Sequence, residues 1–273
     1  MDRADLTKAQ RWEIADRLAE ERLEYLNARC EKVTVSEHTF YVKYVKRALD
    51  IVISLTALIV TLPVNLVIGV ITFFDVGRPI FFRQERTGKD GKTFELIKFR
   101  NMRDTRDANG ELLHASLRVT KFGKFVRKTS LDELLNFWSI LKGDMSLIGP
   151  RPLVPEYLPR YNSRHYQRLA VRPGLECPPR DKSKISHTWQ EQFENDVWYV
   201  EHVSFLTDCK MLWNLFWFAI NRKATAERSS VSKKGSFMGY DIEGKAINLD
   251  EVPQEYIDFY ETQAPKDEDV VNR

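Results

Sequence analysis

The sequence predicts an α+β chain, mainly helical, in which a re-entrant membrane helix-break-helix carries a small cytosolic domain with a β-hairpin and interfacial amphipathic helices. Three observations predict it. Residues 51–74 contain no charged side chain, and as a helix they are long enough to cross the hydrocarbon of a bilayer. Pro63 stands near the middle of this run, and both flanks are basic: Lys43, Lys46 and Arg47 before it, Arg78, Arg83, Arg86 and Lys89 after it. Two β-rich segments then enclose an Asp-Gly turn signal.

Positive flanks stay on the cytoplasmic side of a membrane. A helix bent at Pro63 that dips into the inner leaflet and returns keeps both clusters there, whereas a simple span puts one outside. Proline frees a carbonyl of the preceding turn, and Thr61 and Asn65 are candidates to take it up inside lipid. A single kinked span and a buried core helix stay open as readings of the same residues. Core helices of this length normally carry a polar face, which this one lacks.

Residues 8–30 read as a helix with a rough apolar stripe of Trp12, Ala15, Leu18, Ala19, Leu23, Tyr25 and Leu26 among many charges. It fits a solvated, a surface-lying or a dimerisation helix, so a homodimer is one expectation. Residues 79–102 read as two strands around TGKDGK, where Asp90-Gly91 favours a tight turn. Residues 103–120 are polar, with a turn signal at Asn109-Gly110, and read as a loop with short helical pieces. Residues 130–142 read as a helix, with Leu131, Leu134, Leu135, Trp138 and Leu141 on one side and Gly143 as its C-terminal cap. GPRPLVPEYLP must be irregular, and residues 161–171 read as helix again. Residues 196–220 read either as a core helix or as an amphipathic helix lying in the interface with Trp213 and Trp217 at head-group depth. The last 50 residues are expected to be loosely ordered or wrapped over the domain.

Bulk composition excludes several classes. The chain has 273 residues and a formal net charge of +3, which suggests no dominant nucleic-acid partner. Basic clusters beside an apolar segment suit inner-leaflet phospholipid instead. Three cysteines without ligand spacing point to a reducing compartment. No zinc is assigned, because the five histidines show no paired spacing. No Walker loop or G-x-G-x-x-G is present.

The chemistry concentrates in RKTSLDELLNFW, residues 127–138. Ser130 and Glu133 fit a capping box, which by itself is a structural feature. The same turn supplies a second reading. A carboxylate at a helix start, beside Arg127 and Lys128, is held ionised, and an ionised aspartate can be a nucleophile toward phosphorus. Asp132 is that candidate, with Glu133 as a second hard oxygen ligand. Together they form a candidate Mg2+ site, since magnesium takes one or two carboxylates plus substrate phosphates. Lys98, Arg100, Arg127 and Arg151 are the candidate phosphate-binding cations. Arg151 is held between two prolines, which pre-organises its fork for a bidentate contact.

Taken together the chain resembles the bacterial sugar transferase family, the monotopic polyprenyl-phosphate phosphoglycosyl transferases of the small single-domain type. KRALD, the proline-broken segment, PIFFRQERTG, KFRNM, TSLDELLNFWSILKGDMSLIGPRP, VRPG and DVWYV stand in the family's order between about residues 44 and 223. The resemblance implies attack of an aspartate on a nucleotide-sugar donor, usually a UDP-sugar, with release of UMP. Transfer of the phosphosugar to polyprenyl (undecaprenyl) phosphate follows. It places the chain at the cytoplasmic face of the bacterial inner membrane. Asp132 matches the nucleophile and Glu133 the second acid, which supports Mg2+. Lys98, Arg127 and Arg151 match basic residues near the phosphates. Lys46, Arg47 and Asp50 match the membrane-entry motif, and Pro63 the helix break. The implied organisation is an N-terminal helical extension (1–40), a membrane hairpin (41–75), a catalytic domain (76–223) and a C-terminal extension (224–273).

The pattern departs from the family at Leu62-Pro63, where Ser-Pro is usual. It also departs at PGLECPPRDKSKIS, where PGITG and a Q-V-x-G-R-N segment are usual and Ser183-Lys184 stands in place of Gly-Arg. A changed donor or an altered recognition loop is the expectation. The alternative is a catalytically silent membrane scaffold of a glycan-assembly complex.

Overall fold

The computed structural model describes residues 3, 6–36, 39–107, 110, 112–180, 188–220 and 235–263. The turn signal at Asn109, and Ser183-Lys184, lie outside them. The described chain is mostly helical with small sheets. Compactness divides it into two interleaved units, residues 37–155 with 171–176, and residues 1–36 with 156–170 and 177–273. The consecutive segments drawn from the sequence divide the chain by motif, whereas the units divide it by packing.

The unit around residues 37–155 is organised by the long apolar helix. A π-helical lead-in, Tyr41–Val45, runs into α2, Lys46–Asp75. The helical run Tyr41–Asp75 has a mean hydropathy of 2.5 in its most apolar window, and only 11% of that window is buried. Val52, Ile59, Val60, Leu66, Val67 and Val70 are all exposed. That much bare apolar surface is not a soluble core helix; it needs lipid around it. The helix passes through Pro63 without a gap in helical structure, so the break expected there does not unwind the chain. Proline removes one bond of the ladder, and the turns on either side remain closed. Thr61 and Asn65 also act differently from expectation. Thr61 Oγ1 donates to the Ala57 carbonyl at 2.7 Å, and Asn65 Nδ2 donates to Thr61 Oγ1 at 3.2 Å.

After α2 the chain forms the expected hairpin, β1 (Phe81–Thr87) antiparallel to β2 (Thr93–Phe99), with Phe82 opposite Lys98. Asp90 and Gly91 both take positive φ, and Lys92 N–H closes onto the Lys89 carbonyl at 3.2 Å, as a tight hairpin turn requires. Short helices α3 (Ala115–Arg118) and α4 (Lys121–Lys128) lead to α5 (Asn136–Lys142). Gly143 ends α5 with φ 101°. Strand β3 (Ser146–Ile148) then pairs in parallel with β4 (Gly174–Glu176). A Cβ on Gly174 would sit 2.2 Å from the Gly149 nitrogen, so only glycine allows the two segments to lie this close. Leu96, Ile140 and Met145 form the core here, with Phe94, Phe137, Leu147 and Leu175 packed on it.

The membrane-entry residues are fasteners. Arg47 donates Nη1 to the Ile140 carbonyl at 2.6 Å and Nη2 to the Leu141 carbonyl at 2.7 Å. Both carbonyls belong to the last turn of α5, where the i→i+4 donors run out; that of Ile140 also accepts the Gly143 N–H at 3.0 Å. One turn along, buried Asp50 accepts from Ser146 Oγ at 3.1 Å and from Leu147 N–H at 3.0 Å. The motif therefore bolts α2 to the corner between α5 and β3. Arg47→Ala removes two charge-assisted bonds and is expected to cost about 2 kcal/mol, read as a lowered unfolding midpoint in detergent.

The second unit gathers both ends of the chain. Helix α1 (Lys8–Asn27) starts with a capping box between Thr7 and Gln10. Its Ile14, Ala15 and Leu18 are buried with Met238, Ile247, Val252, Tyr256 and Ile257. Those partners come from the hairpin β5 (Phe237–Tyr240) and β6 (Ala246–Asn248) and from α9 (Gln254–Gln263). Part of the tail expected to be loosely ordered is thus core, and Ala15 and Leu18 of the stripe that motivated a homodimer pack within it. Residues 221–234 and 264–273 lie outside the described residues.

Short α6 (Ser163–Tyr166) is followed by α7 (Trp189–His202) and α8 (Phe205–Ile220). The single helix expected over residues 196–220, core or amphipathic, is therefore two helices, parted at Val203-Ser204. On α8 the usual polarity is inverted. Asp208, Met211 and Asn214 face protein, with Asp208 accepting from Tyr199 Oη at 2.6 Å. Phe205, Leu206, Trp213 and Phe216 are exposed, Trp213 by 61%.

Candidate functional site

The local conformation around Asp132 differs from the expected helix start. Helix α4 ends at Lys128, and Ser130 takes the left-handed conformation, φ 55°, with its N–H on the Arg127 carbonyl. Ser130 closes the preceding helix and caps nothing. Left-handed backbone is unfavourable for a residue with a Cβ, so packing imposes it. Leu131–Glu133 then form one 3-10 turn before α5 begins at Asn136. The capping box is absent because Glu133 is committed elsewhere.

Glu133 Oε1 accepts from Lys98 Nζ at 2.8 Å and from Arg151 Nη2 at 3.0 Å. Strand β2 supplies Lys98, the turn supplies Glu133, and the GPRP segment after β3 supplies Arg151. Arg151 Nη1 reaches Glu176 Oε2 on β4 at 3.4 Å, and Glu176, Glu133 and Asp132 raise the affinity of Arg151 for its proton in addition to its already high basicity. Glu176 was not singled out from the sequence. The only signal was its place in the loop that departs from the family pattern.

Asp132 is buried beside this cluster. Burial pushes its carboxyl above the usual range. Lys98 opposes that shift, and the neighbouring charge of Glu133 adds to it. The helix start expected to favour the ionised carboxylate is absent, because Asp132 lies in a 3-10 turn, and burial outweighs the nearby cations in setting the direction of the shift.

The other two cations lie apart from Glu133. Arg100 donates to the Val76 carbonyl at 3.1 Å and to the Arg78 carbonyl at 3.4 Å, and pairs with Asp104 at 3.3 Å. It serves the exit of α2. Arg127 donates to Met102 Sδ at 3.5 Å and acts on Asp132 through its charge, less than Lys98 does. Lys46, Arg47, Asp50 and Pro63 belong to the membrane helix described above.

For magnesium, the donor set is two adjacent carboxylates, Asp132 and Glu133. Among the described residues no group of three or more His, Cys, Asp or Glu side chains comes together as a metal site. Two carboxylates suffice for Mg2+ when substrate phosphates complete the shell. Asp132 and Glu133 are hard oxygen donors at neighbouring positions of one 3-10 turn, so by the chemistry of the donor set the residues fit the ion.

Comparison with known proteins identifies the family. The family model described as bacterial sugar transferase matches residues 41–222. An uncharacterized sugar transferase, EpsL, of Bacillus subtilis is 41% identical over 167 residues, covering 61% of this chain and 83% of that protein. A putative undecaprenyl-phosphate N-acetylgalactosaminyl 1-phosphate transferase of the same organism is 37% identical over 132 residues, 48% of this chain and 74% of that protein. The UDP-glucose:undecaprenyl-phosphate glucose-1-phosphate transferase of Klebsiella pneumoniae is 34% identical over 191 residues, 66% of this chain and 41% of that longer protein. The matched span holds the apolar helix, the acidic turn and the cations that surround it, and the chain belongs to the bacterial sugar transferase family.

Proposed function

We propose that this enzyme transfers a sugar phosphate from a nucleoside-diphosphate sugar, a UDP-sugar, to undecaprenyl phosphate at the cytoplasmic face of the membrane, in polysaccharide or glycoconjugate synthesis. The observation that carries the reading is Asp132 lying buried next to a Glu133 that gathers Lys98 and Arg151.

An oxygen of ionised Asp132 attacks the β-phosphorus. The bond from that phosphorus to the bridging oxygen breaks, and UMP leaves with the electron pair. The phosphate oxygen of the polyprenyl acceptor then attacks the same phosphorus, and the bond to Asp132 breaks, restoring the carboxylate. Neither step needs a proton to be removed from the attacking group. Lys98 and Arg151 neutralise the phosphate oxygens. Even counting Arg127, these cations only balance Asp132, Glu133 and Glu176, so a dianionic donor needs further positive charge. Mg2+ on Asp132 and Glu133 would supply that charge. Partial burial makes each of these interactions stronger than in water. Because the two substrates use Asp132 in turn, a soluble donor and a lipid acceptor need not be bound together.

The membrane topology we propose is re-entrant. It is supported by the fastening of both ends of α2 to the same unit. Arg47 and Asp50 hold the entry, while Arg103 holds the exit through the Asp75 carbonyl at 2.8 Å and its carboxylate at 3.0 Å. The exposed apolar face of α8 is a second lipid contact.

UMP release from a panel of UDP-sugars, with polyprenyl phosphate present, tests the reaction. Chelation is expected to stop it and Mg2+ to restore it. A phosphosugar adduct on Asp132, seen by intact mass, excludes the silent scaffold. Single cysteines near residues 43 and 80 should label from one side only; opposite-side labelling rejects re-entry.

A further inference from the structure

Glu176 has no role in the transfer as derived above, yet it competes for one of its cations. Its position is set by backbone. Its carbonyl accepts Gly149 N–H at 3.2 Å, and Gly174 N–H donates to the Pro150 carbonyl at 3.0 Å. Strand β4 is thereby pinned beside the segment that carries Arg151, and a Cβ at Gly149 would meet the Arg172 carbonyl at 2.5 Å. Neither backbone can yield, so only side-chain ends can move.

At those ends the Arg151 guanidinium is divided between two acids. Nη2 is on Glu133 at 3.0 Å and Nη1 on Glu176 at 3.4 Å. The second contact is the longer and the weaker. Arg151 is 46% exposed and Glu176 22%, so the pair borders solvent where a phosphate can arrive. A bidentate fork on phosphate uses two N–H groups of one edge. With Nη2 on Glu133 and Nη1 on Glu176 both groups of that edge are engaged, and a phosphate oxygen gains a place on it most easily by displacing the weaker contact.

We propose that Glu176 is a displaceable counter-ion of Arg151, a carboxylate occupying the place that a donor phosphate oxygen takes, so that it sets the affinity of this site for diphosphates. The proposal rests on the phosphosugar-transfer reading. Binding of donor exchanges the carboxylate for phosphate on Nη1, and departure of nucleotide lets Glu176 take Arg151 back. The residue lies at the start of the stretch where this chain departs from its family's pattern.

The test is a double-mutant cycle with two readouts on the full chain in detergent or nanodiscs. Inorganic pyrophosphate is the binding probe, titrated with Mg2+ present. Glu176→Gln keeps the shape and removes the charge, and is expected to bind pyrophosphate about 2- to 5-fold more tightly at low salt. The gain should vanish in an Arg151→Gln background. In turnover the donor KM of Glu176→Gln should fall by a similar factor with kcat within about 2-fold. Glu176→Asp, which keeps the charge but shortens the reach to Nη1, should show a smaller gain and serves if the glutamine variant does not fold. Unchanged or weaker pyrophosphate binding in both variants, or an equal gain without Arg151, overturns the proposal. A wild-type protein that releases no UMP would remove the transfer reading and leave the pyrophosphate cycle still able to decide the role of Glu176.

Discussion

Asp132→Asn is expected to abolish sugar-phosphate transfer while leaving the protein more stable at neutral pH. The amide cannot form an acyl phosphate, and loss of a nucleophile typically costs at least about 10³-fold in kcat. The stability effect follows from burial. The folded protein holds the Asp132 proton to a higher pH than an unfolded chain does. Between the unfolded and folded pKa values the native state therefore binds more protons than the unfolded state, and stability falls as pH rises through that window. Above it, wild-type protein carries the whole cost of a desolvated carboxylate. The asparagine variant carries none, so its melting temperature at pH 7 should exceed that of wild type, and the difference should shrink on acidification. Catalysis runs the other way. The attacking form is the carboxylate, so kcat should fall on acidification at a pH above the ordinary aspartate value of about 4. Melting curves and a kcat profile between pH 4 and about 8 check both. A destabilised, still active Asp132→Asn would refute the assignment of the nucleophile.

Asp196→Ala is expected to be the most damaging single change away from the site. Arg168 and Asp196 are each about 1% exposed and meet at 2.7 Å, with Arg168 Nη1 also 3.5 Å from Tyr161 Oη. Burial pushes the Tyr161 hydroxyl up to about 12, so it stays a neutral partner. Removing the acid leaves a buried guanidinium without its counter-charge, a change that typically costs about 3–5 kcal/mol. Asp196 opens DVWYV, one of the segments shared with the family, and the structure gives it a packing role in the unit that does not carry Asp132. The expected signature is a large loss of folded protein, with specific activity of the remaining fraction close to normal. An equal loss of activity per folded molecule would move Asp196 into the catalytic machinery.

The sequence carried much of the fold where a local pattern dictates a local outcome. The hairpin at residues 81–99 could be read because Asp90-Gly91 accepts positive φ, and Gly143 marked the end of α5 for the same reason. The apolar helix could be read because no other surface tolerates residues 51–74. Local pattern failed at Ser130. Its S-x-x-E spacing is a capping box only if the chain enters a helix there, and α4 claims the residue first. It failed again at the C-terminus, where short strands of mixed composition became ordered only by burying Met238 and Ile247 against α1.

What the amino-acid sequence determined by itself was the membrane segment, the acid pair and the order of motifs, because each resides in residue type at fixed spacing. Only the tertiary structure decided which cations meet which acids. Lys98 and Arg151 converge on Glu133 from a strand and a proline-bound segment distant in the chain, while Arg100, two residues from Lys98, serves the exit of the long helix instead. Coulomb attraction falls with distance in space, and distance along the chain does not report it.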